Sequence, residues 1–290
     1  MKKQASSLRR RFGAHFGSSF LRILILVGGG ISTLICLGLI ATVTVRGIPE
    51  LRPELFAYKY NSENLSMLPA MLNTLEMTFL TLSIVLPIGI GTAIYLAEYA
   101  QQSSKFLLLI RTAIDTLQGI PSVLFGLLGY LLFVTLFGWG YSMLAGVFTL
   151  VLITLPLIIR TAEEAILAVP KSYREASYAL GAGHLRTIFC TVLPAAFHGI
   201  LGGVVLAIGR IVGETAALIF TAGTAVSSFT GNPMEAGRTL AVHLYSLWNE
   251  GLSTGEAYAT AAVLLIFTMA INLLSDFLTK GMENKRAKQQ

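Results

Sequence analysis

Between Asp115 and Arg160 the chain runs 44 residues, Thr116–Ile159, without an Asp, Glu, Lys or Arg. As one helix rising about 1.5 Å per residue, that run would be roughly 66 Å long, about twice the hydrocarbon thickness of a bilayer. It must fold back on itself, and Gly138-Trp139-Gly140 is the breaker in its middle. Three more charge-free runs, Ile23–Val45, Met77–Ala97 and Ala257–Ser275, are each close to the roughly 20 residues a spanning helix needs. Only 12% of the 290 residues are charged, against about a quarter in a soluble domain. A soluble fold is excluded, and the chain reads as an all-α polytopic membrane protein.

Six transmembrane helices fit, at roughly 23–45, 71–97, 119–137, 143–160, 199–223 and 257–279. With both termini cytoplasmic, sixteen of the 21 basic residues fall on the inner side, among them Lys2, Lys3, Arg9, Arg10, Arg11, Lys105, Arg186 and Lys285. Arg46, Arg52, Lys59 and Arg238 fall outside. That asymmetry follows the positive-inside rule and requires an even number of spans. The net charge of +6 is therefore an orientation signal, and no nucleic-acid partner is expected. The first apolar run is longer than a signal peptide's 7–15-residue core and lacks a small-residue cleavage site, so it is expected to be retained. The expected organisation is a cytoplasmic basic N-terminus over 1–22, a first helix over 23–45, an outer loop over 46–70, a membrane core over 71–280 and a cytoplasmic tail over 281–290.

Two connections are long. The outer one, about 224–256, is rich in Gly, Ser and Thr; the inner one, about 160–198, carries Arg160, Glu163, Glu164, Lys171, Arg174, Glu175 and Arg186. Within the inner one, Ala165, Ile166, Ala168, Val169 and then Tyr173, Ala176, Tyr178, Ala179 and Leu180 recur at helical spacing. Gly181-Ala182-Gly183 breaks the pattern, and a short apolar stretch, Thr187–Leu193, ends at Pro194. The expectation is helix, glycine turn, helix on the cytoplasmic face. The first half has no counterpart of this charged loop, so the inverted repeat of secondary transporters is absent.

Inside the fifth span, Arg210 and Glu214 stand at i, i+4, a spacing that shares a helix face and lets opposite charges offset part of their burial cost. On residues alone this is either a self-neutralising structural pair or a guanidinium facing an anion. Arg160, at the inner end of the fourth span, reads as an interfacial anchor. Glu76 and Asp276, near the ends of their spans, read as satisfied interfacial carboxylates. Four scattered histidines (His15, His184, His198, His243) and two cysteines (Cys36, Cys190) form no metal-ligand or disulfide pattern. No G-x-x-x-x-G-K-[ST] phosphate loop is present, so the chain is not expected to bind ATP or act as an enzyme by itself.

Glu175-Ala176-Ser177-Tyr178-Ala179-Leu180-Gly181, followed by Leu193-Pro194, resembles the EAA loop of ABC-importer permeases. Ser177 replaces the second Ala and Thr191 the usual Ile. The resemblance narrows to the PstA-like permeases of phosphate importers on Leu157–Glu163, Val169–Gly181, Tyr95-Leu96-Ala97-Glu98-Tyr99 and Ala207–Leu218. It covers roughly residues 70–280. It implies the type I ABC-importer permease fold, with the permease core at 71–280 and the EAA-like loop at 160–198. Glu175, Ala176, Gly181, Arg186, Leu193 and Pro194 would couple to an ATPase, and Arg210, Glu214 and Arg160 would line the substrate pathway. The implied partners are a homologous PstC-like permease, a PstB-like ATPase homodimer holding ATP-Mg, an extracytoplasmic PstS-like phosphate-binding protein, phosphate and the lipid bilayer. The implied location is the cell inner membrane. Importers of other anions or small solutes share the EAA-like loop, so only the Arg210–Leu218 stretch argues for phosphate. A stand-alone secondary transporter is the alternative from another class.

Overall fold

The computed structural model describes residues 2–61, 63–101, 104–225, 231–251 and 253–287, with side chains described between residues 21 and 273. Asp276 and the basic residues before 21 and after 273 lie outside the described side chains. Among the described residues all regular structure is helical. Five helices are long and apolar enough to cross a membrane, and the pair Lys105–Gln118 plus Ser122–Leu136, bent by 97°, is apolar enough to be a broken sixth span or a re-entrant loop.

Helix α1 (Lys2–Gly47) is 46 residues long, about 69 Å at helical rise, so the expected first span is part of a much longer rod. Its described side chains are exposed from Leu21 to Thr42. It touches the rest of the chain at its far end, where Gly47 is buried. A Cβ at Gly47 would lie 2.8 Å from that of Ala262, so only glycine allows the helices to approach this closely. Helices α2 (Leu68–Ile94), which ends in a π turn over Tyr95–Tyr99, and α3 (Lys105–Gln118) follow. Next come α4 (Ser122–Gly129), continued by a π turn over Tyr130–Leu136, and α5 (Met143–Leu167).

Helix α5 is the axis of the bundle: 67% of its apolar stretch is buried, against 28% for α2. The core stacks along its length. Met77, Val147, Leu150, Ile211 and Leu218 form one layer. Val85, Val151, Ile158 and Ala207 form the next, and Ala93, Ala162, Ile166, Val192 and Ala196 a third. Without a hydrophobic drive between helices in lipid, such contacts hold by dispersion, which favours small residues at close crossings.

Two expected boundaries move, those of the fourth and fifth spans. The third, expected over roughly 119–137, is the helical run Ser122–Leu136, set off by a break at Gly119 and Pro121 where α3 meets α4 at 97°. Helix α3 packs Leu107 and Ile114 against Leu96 and Ile159. The fourth span continues to Leu167, seven residues past Arg160. The fifth begins in the inner connection: α7 (His184–Thr187) runs through a π turn, Ile188–Val192, into α8 (Leu193–Gly213) as one 30-residue helix. Pro194 therefore does not end a separate stretch but sits in the first turn of α8, where the wide π turn takes up the lost backbone bond. The expected reversal at Gly138-Trp139-Gly140 is present, with both glycines left-handed (φ +68° and +65°).

The second long connection holds more than loop. After α9 (Ala216–Thr221), helix α10 (Leu240–Asn249) has buried Leu240, Val242, His243 and Leu247. Thr239 caps it, accepting from the Val242 N–H, and the Leu240 N–H donates to Thr74 Oγ1 on α2 at 2.8 Å. Helix α11 (Thr254–Ala287) closes the chain.

Candidate functional site

At one end of the bundle the chain makes an elbow. Helix α6 (Lys171–Ala179) has no buried residue and stops at Gly181, whose φ of +79° only glycine adopts without strain. The Ala182 N–H donates to the Ser177 carbonyl at 3.1 Å and the Gly181 N–H to the Tyr178 carbonyl at 2.9 Å, a Schellman closure. Two side-chain contacts then fold α6 onto α7: Tyr178 Oη to His184 Nδ1 at 2.7 Å, and Ser177 Oγ to Thr187 Oγ1 at 2.9 Å. The result is a small knob whose tip bears Leu180, 90% exposed, with Leu185 and Tyr173 also exposed on it.

Of the residues expected to couple, Glu175, Ala176, Gly181 and Arg186 all lie exposed on this knob. Leu193 and Pro194 do not join them. Leu193 packs on the Ala162–Val192 layer, and Pro194 lines a cleft of about 530 Å³ between α5, α6 and α8. They root the elbow rather than face out.

The self-neutralising Arg210–Glu214 pair, one of the two readings the spacing left open, does not form. Helix α8 ends at Gly213, and Glu214 leaves helical geometry (φ −72°, ψ 125°). Its Oε1 instead accepts the Ala217 N–H at 3.2 Å, satisfying a donor at the start of α9. Arg210 remains on the last turn of α8, half-buried, with no ion pair among the described residues. That position is favourable for a cation, because the carbonyl end of a helix carries partial negative charge. Beside it Gly202, Gly209 and Gly213 open onto empty space, with no atom within 4 Å of an added Cβ.

Arg160 stands elsewhere. Its Nε meets Glu164 Oε1 at 2.7 Å and Asp115 Oδ1 at 3.8 Å, drawing it toward α3. Thr161, its neighbour, packs on Gly203, and Arg210 lies seven residues farther along α8, about 10 Å at helical rise. Glu76 is not the satisfied carboxylate expected: its Oε2 is buried with no hydrogen-bond partner among the described residues.

Two buried ion pairs escaped the sequence reading. Arg111 Nε donates to Glu163 Oε1 at 2.7 Å, joining α3 to α5. Arg174 donates to Glu98 Oε1 from both Nε (3.0 Å) and Nη2 (2.6 Å), joining α6 to the end of α2. Their charges were visible, but partners 52 and 76 residues apart leave no periodic signal. A third cluster sits at the opposite end, where buried Arg238 lies over the Tyr60 ring at 5.3 Å, near buried His243. Burial, then the Arg238 charge, pushes the His243 pKa down to about 3.

A family model of binding-protein-dependent transport system inner membrane components matches residues 67–288. The chain belongs to this family. It is thus a multi-pass membrane component of a binding-protein-dependent importer, a permease. The permease is 34% identical over 261 residues to a probable ABC transporter permease protein, YqgI, of Bacillus subtilis, covering 84% of this chain and 88% of that one. It is 33% identical over 246 residues to the phosphate transport system permease protein PstA of Haemophilus influenzae, covering 81% and 83%. Its fold is similar to that of a bacterial ABC transporter involved in alginate import (TM-score 0.67, 16% identity, 93% and 98% covered). The MetNI methionine ABC transporter is also similar (TM-score 0.57, 21% identity, 72% and 93% covered). All-α architecture and the fold of ABC-importer permeases, expected from the sequence, are what this protein has.

Proposed function

We propose that this permease forms half of the translocation pathway of an ATP-driven phosphate importer. The observation that carries the reading is Arg210: a half-buried guanidinium at the end of a membrane helix, without a carboxylate partner among the described residues, beside a glycine-lined face open to another molecule. A guanidinium fork fits the oxygens of a phosphate oxyanion, and charge-assisted bonds of this kind are among the stronger ones available. Glu214, turned to accept the Ala217 N–H at the start of α9, leaves that charge unpaired. Relatives named as phosphate permeases, such as that of Haemophilus influenzae, support the same cargo.

In this reading the open face of α8 meets a homologous PstC-like permease, and phosphate passes between the two. The knob at Glu175, Ala176, Gly181 and Arg186 docks a PstB-like ATPase homodimer, which binds the ATP-Mg. A PstS-like binding protein delivers phosphate on the opposite side. Both termini and the elbow are cytoplasmic. ATP binding closes the ATPase dimer, the elbow carries that movement into the helices, and hydrolysis resets the cavity.

The test is uptake of labelled phosphate by cells whose own permease is replaced by this one. Arg210→Gln is expected to cut uptake about ten- to a hundredfold, the worth of one charge-assisted hydrogen bond, while the complex still assembles. Unchanged uptake would remove the anion role from Arg210. Uptake that responds to another oxyanion and not to phosphate would reassign the cargo. Docking is tested separately by Gly181→Val, which forces a β-branched residue into left-handed geometry and should release the ATPase from the purified complex.

A further inference from the structure

Helix α6 buries none of its own residues, so some other contact must fix its distance from the helices it is to move. Within the elbow, the Ser177–Thr187 and Tyr178–His184 contacts tie α6 only to α7, and through α7 to α8. Toward α2 and α5, the packed centre of the chain, the elbow has the short Ala168–Pro170 link, the edge-on Tyr99–His184 ring contact at 4.9 Å, and one polar side chain. Arg174 uses all three guanidinium nitrogens at once. Nε and Nη2 hold Glu98 Oε1 at 3.0 and 2.6 Å, Nη2 also donates to the Ile166 carbonyl at 3.0 Å, and Nη1 to the Val169 carbonyl at 2.8 Å. The two carbonyls are at the C-terminal end of α5, where backbone acceptors lack helical donors and partial negative charge favours a cation. Glu98 lies in the π turn that ends α2, and a π turn rotates the residues after it relative to an α-helix. Its neighbour Leu96 is buried against Leu107, Ile114 and Ile159, so the carboxylate projects from an anchored segment. The side chains of Arg174 and Glu98 are 16% and 6% exposed. In so dry a setting the pair is poorly screened, and parting its members would leave two uncompensated charges.

We infer that Arg174 is a positioning residue that clamps the coupling knob to α2 and α5, so that the three move as one body and force applied at the knob reaches the membrane core. This rests on the docking of an ATPase at the knob proposed above. Arg174 touches neither cargo nor nucleotide in this scheme; it acts through Glu98 and the end of α5. Without it, no ion pair would hold the knob to α2, and its remaining ties would be the Ala168–Pro170 link to α5, the Tyr99–His184 ring contact and the run through α7 into α8, so that movement at the tip is spent as rotation of α6 about its own ends.

The test uses the assembled importer, with both permeases and the ATPase, in proteoliposomes with the binding protein and inorganic phosphate. Phosphate transported per ATP hydrolysed is measured alongside ATPase retention. Arg174→Gln is expected to keep the ATPase bound and hydrolysing while transport per ATP falls about tenfold, in the range of known coupling perturbations. Glu98→Gln, which keeps a hydrogen-bond acceptor, should fall less. A second arm places Glu98→Cys and Arg174→Cys in a background with Cys36→Ser and Cys190→Ser. This protein should be uncoupled, and joining the two thiols with a short bifunctional thiosulfonate should restore transport, because the bridged parts travel together. A folding role alone would lower yield without changing the ratio in the complexes that survive. The inference is overturned by an unchanged ratio in Arg174→Gln, by loss of the assembled complex in both arms, or by a bridge that arrests transport. If the unaltered complex fails to hold an ATPase, the docking reading itself falls, and the clamp with it.

Discussion

At the scale of single residues, the charges in this chain divide into those the fold has paired and those it has left open. Glu163 has a side chain only 2% exposed and depends on Arg111 for compensation. Arg111→Ala should therefore lower stability by about 3–5 kcal/mol, the cost of stranding a buried charge. The check is the thermal midpoint of the purified permease in detergent, with Glu163→Gln in the Arg111→Ala background recovering part of the loss. His243 is a different case, because its pKa of about 3 lies below the ordinary value of 6.5. The folded chain holds it neutral where the unfolded chain would protonate it, so the unfolded state binds more protons between those two values. Stability is unaffected by His243 above pH 6.5 and is lost progressively as pH falls from there toward 3. Melting at pH 7.5 and 5.5 should show this decline, and His243→Gln should flatten it. Arg238, whose own pKa burial lowers, adds the nearby positive charge that makes a second cation there unfavourable.

At the scale of elements, glycines decide which helices approach and which faces stay open. Gly126 on α4 meets α9 so closely that an added Cβ would lie 2.7 Å from Ala217 Cα and 3.1 Å from its carbonyl oxygen. Those are backbone atoms with nowhere to move except by separating the helices. Gly126→Ala should cost about 1–3 kcal/mol, the usual range for overpacking. Gly202→Ala, inside α8 and with no atom within 4 Å of the new Cβ, should leave the thermal midpoint of the isolated chain unchanged or raise it, by a stabilisation of at most about 1 kcal/mol. Differential scanning of the two variants side by side checks the contrast. Helix α3 illustrates a different rule. Its charges Lys105, Arg111 and Asp115 interrupt an otherwise apolar segment, so it turns through 97° instead of extending α4 into a straight span.

At the scale of the whole molecule, the knob and the Arg238 cluster lie at opposite ends of the bundle, and the proposed orientation puts the knob in the cytoplasm. In a cysteine-free background, Lys59→Cys should react with an impermeant maleimide in right-side-out vesicles, and Leu180→Cys only in inside-out ones. The reverse pattern would invert the topology. The membrane nature, the reversal at Gly138–Gly140 and the glycine-hinged elbow were legible in the residues, because each rests on a local rule: hydropathy over a span, or a backbone angle only glycine tolerates. The spacing left two readings of Arg210 and Glu214 open, and the pair is the one that does not form, since i, i+4 spacing implies a shared face only while the helix lasts and α8 ends one residue before Glu214. Helix α10 was hidden in a stretch rich in Gly, Ser and Thr, although Leu240, Val242 and Leu247 bury completely against other elements. Sequence by itself determined how much of the chain enters the bilayer and where it must turn, since those depend on the free energy of transfer of consecutive residues. Only the tertiary structure decided which charges meet, because Arg174 and Glu98, or Arg111 and Glu163, become neighbours through the packing of α2, α3 and α6 around α5.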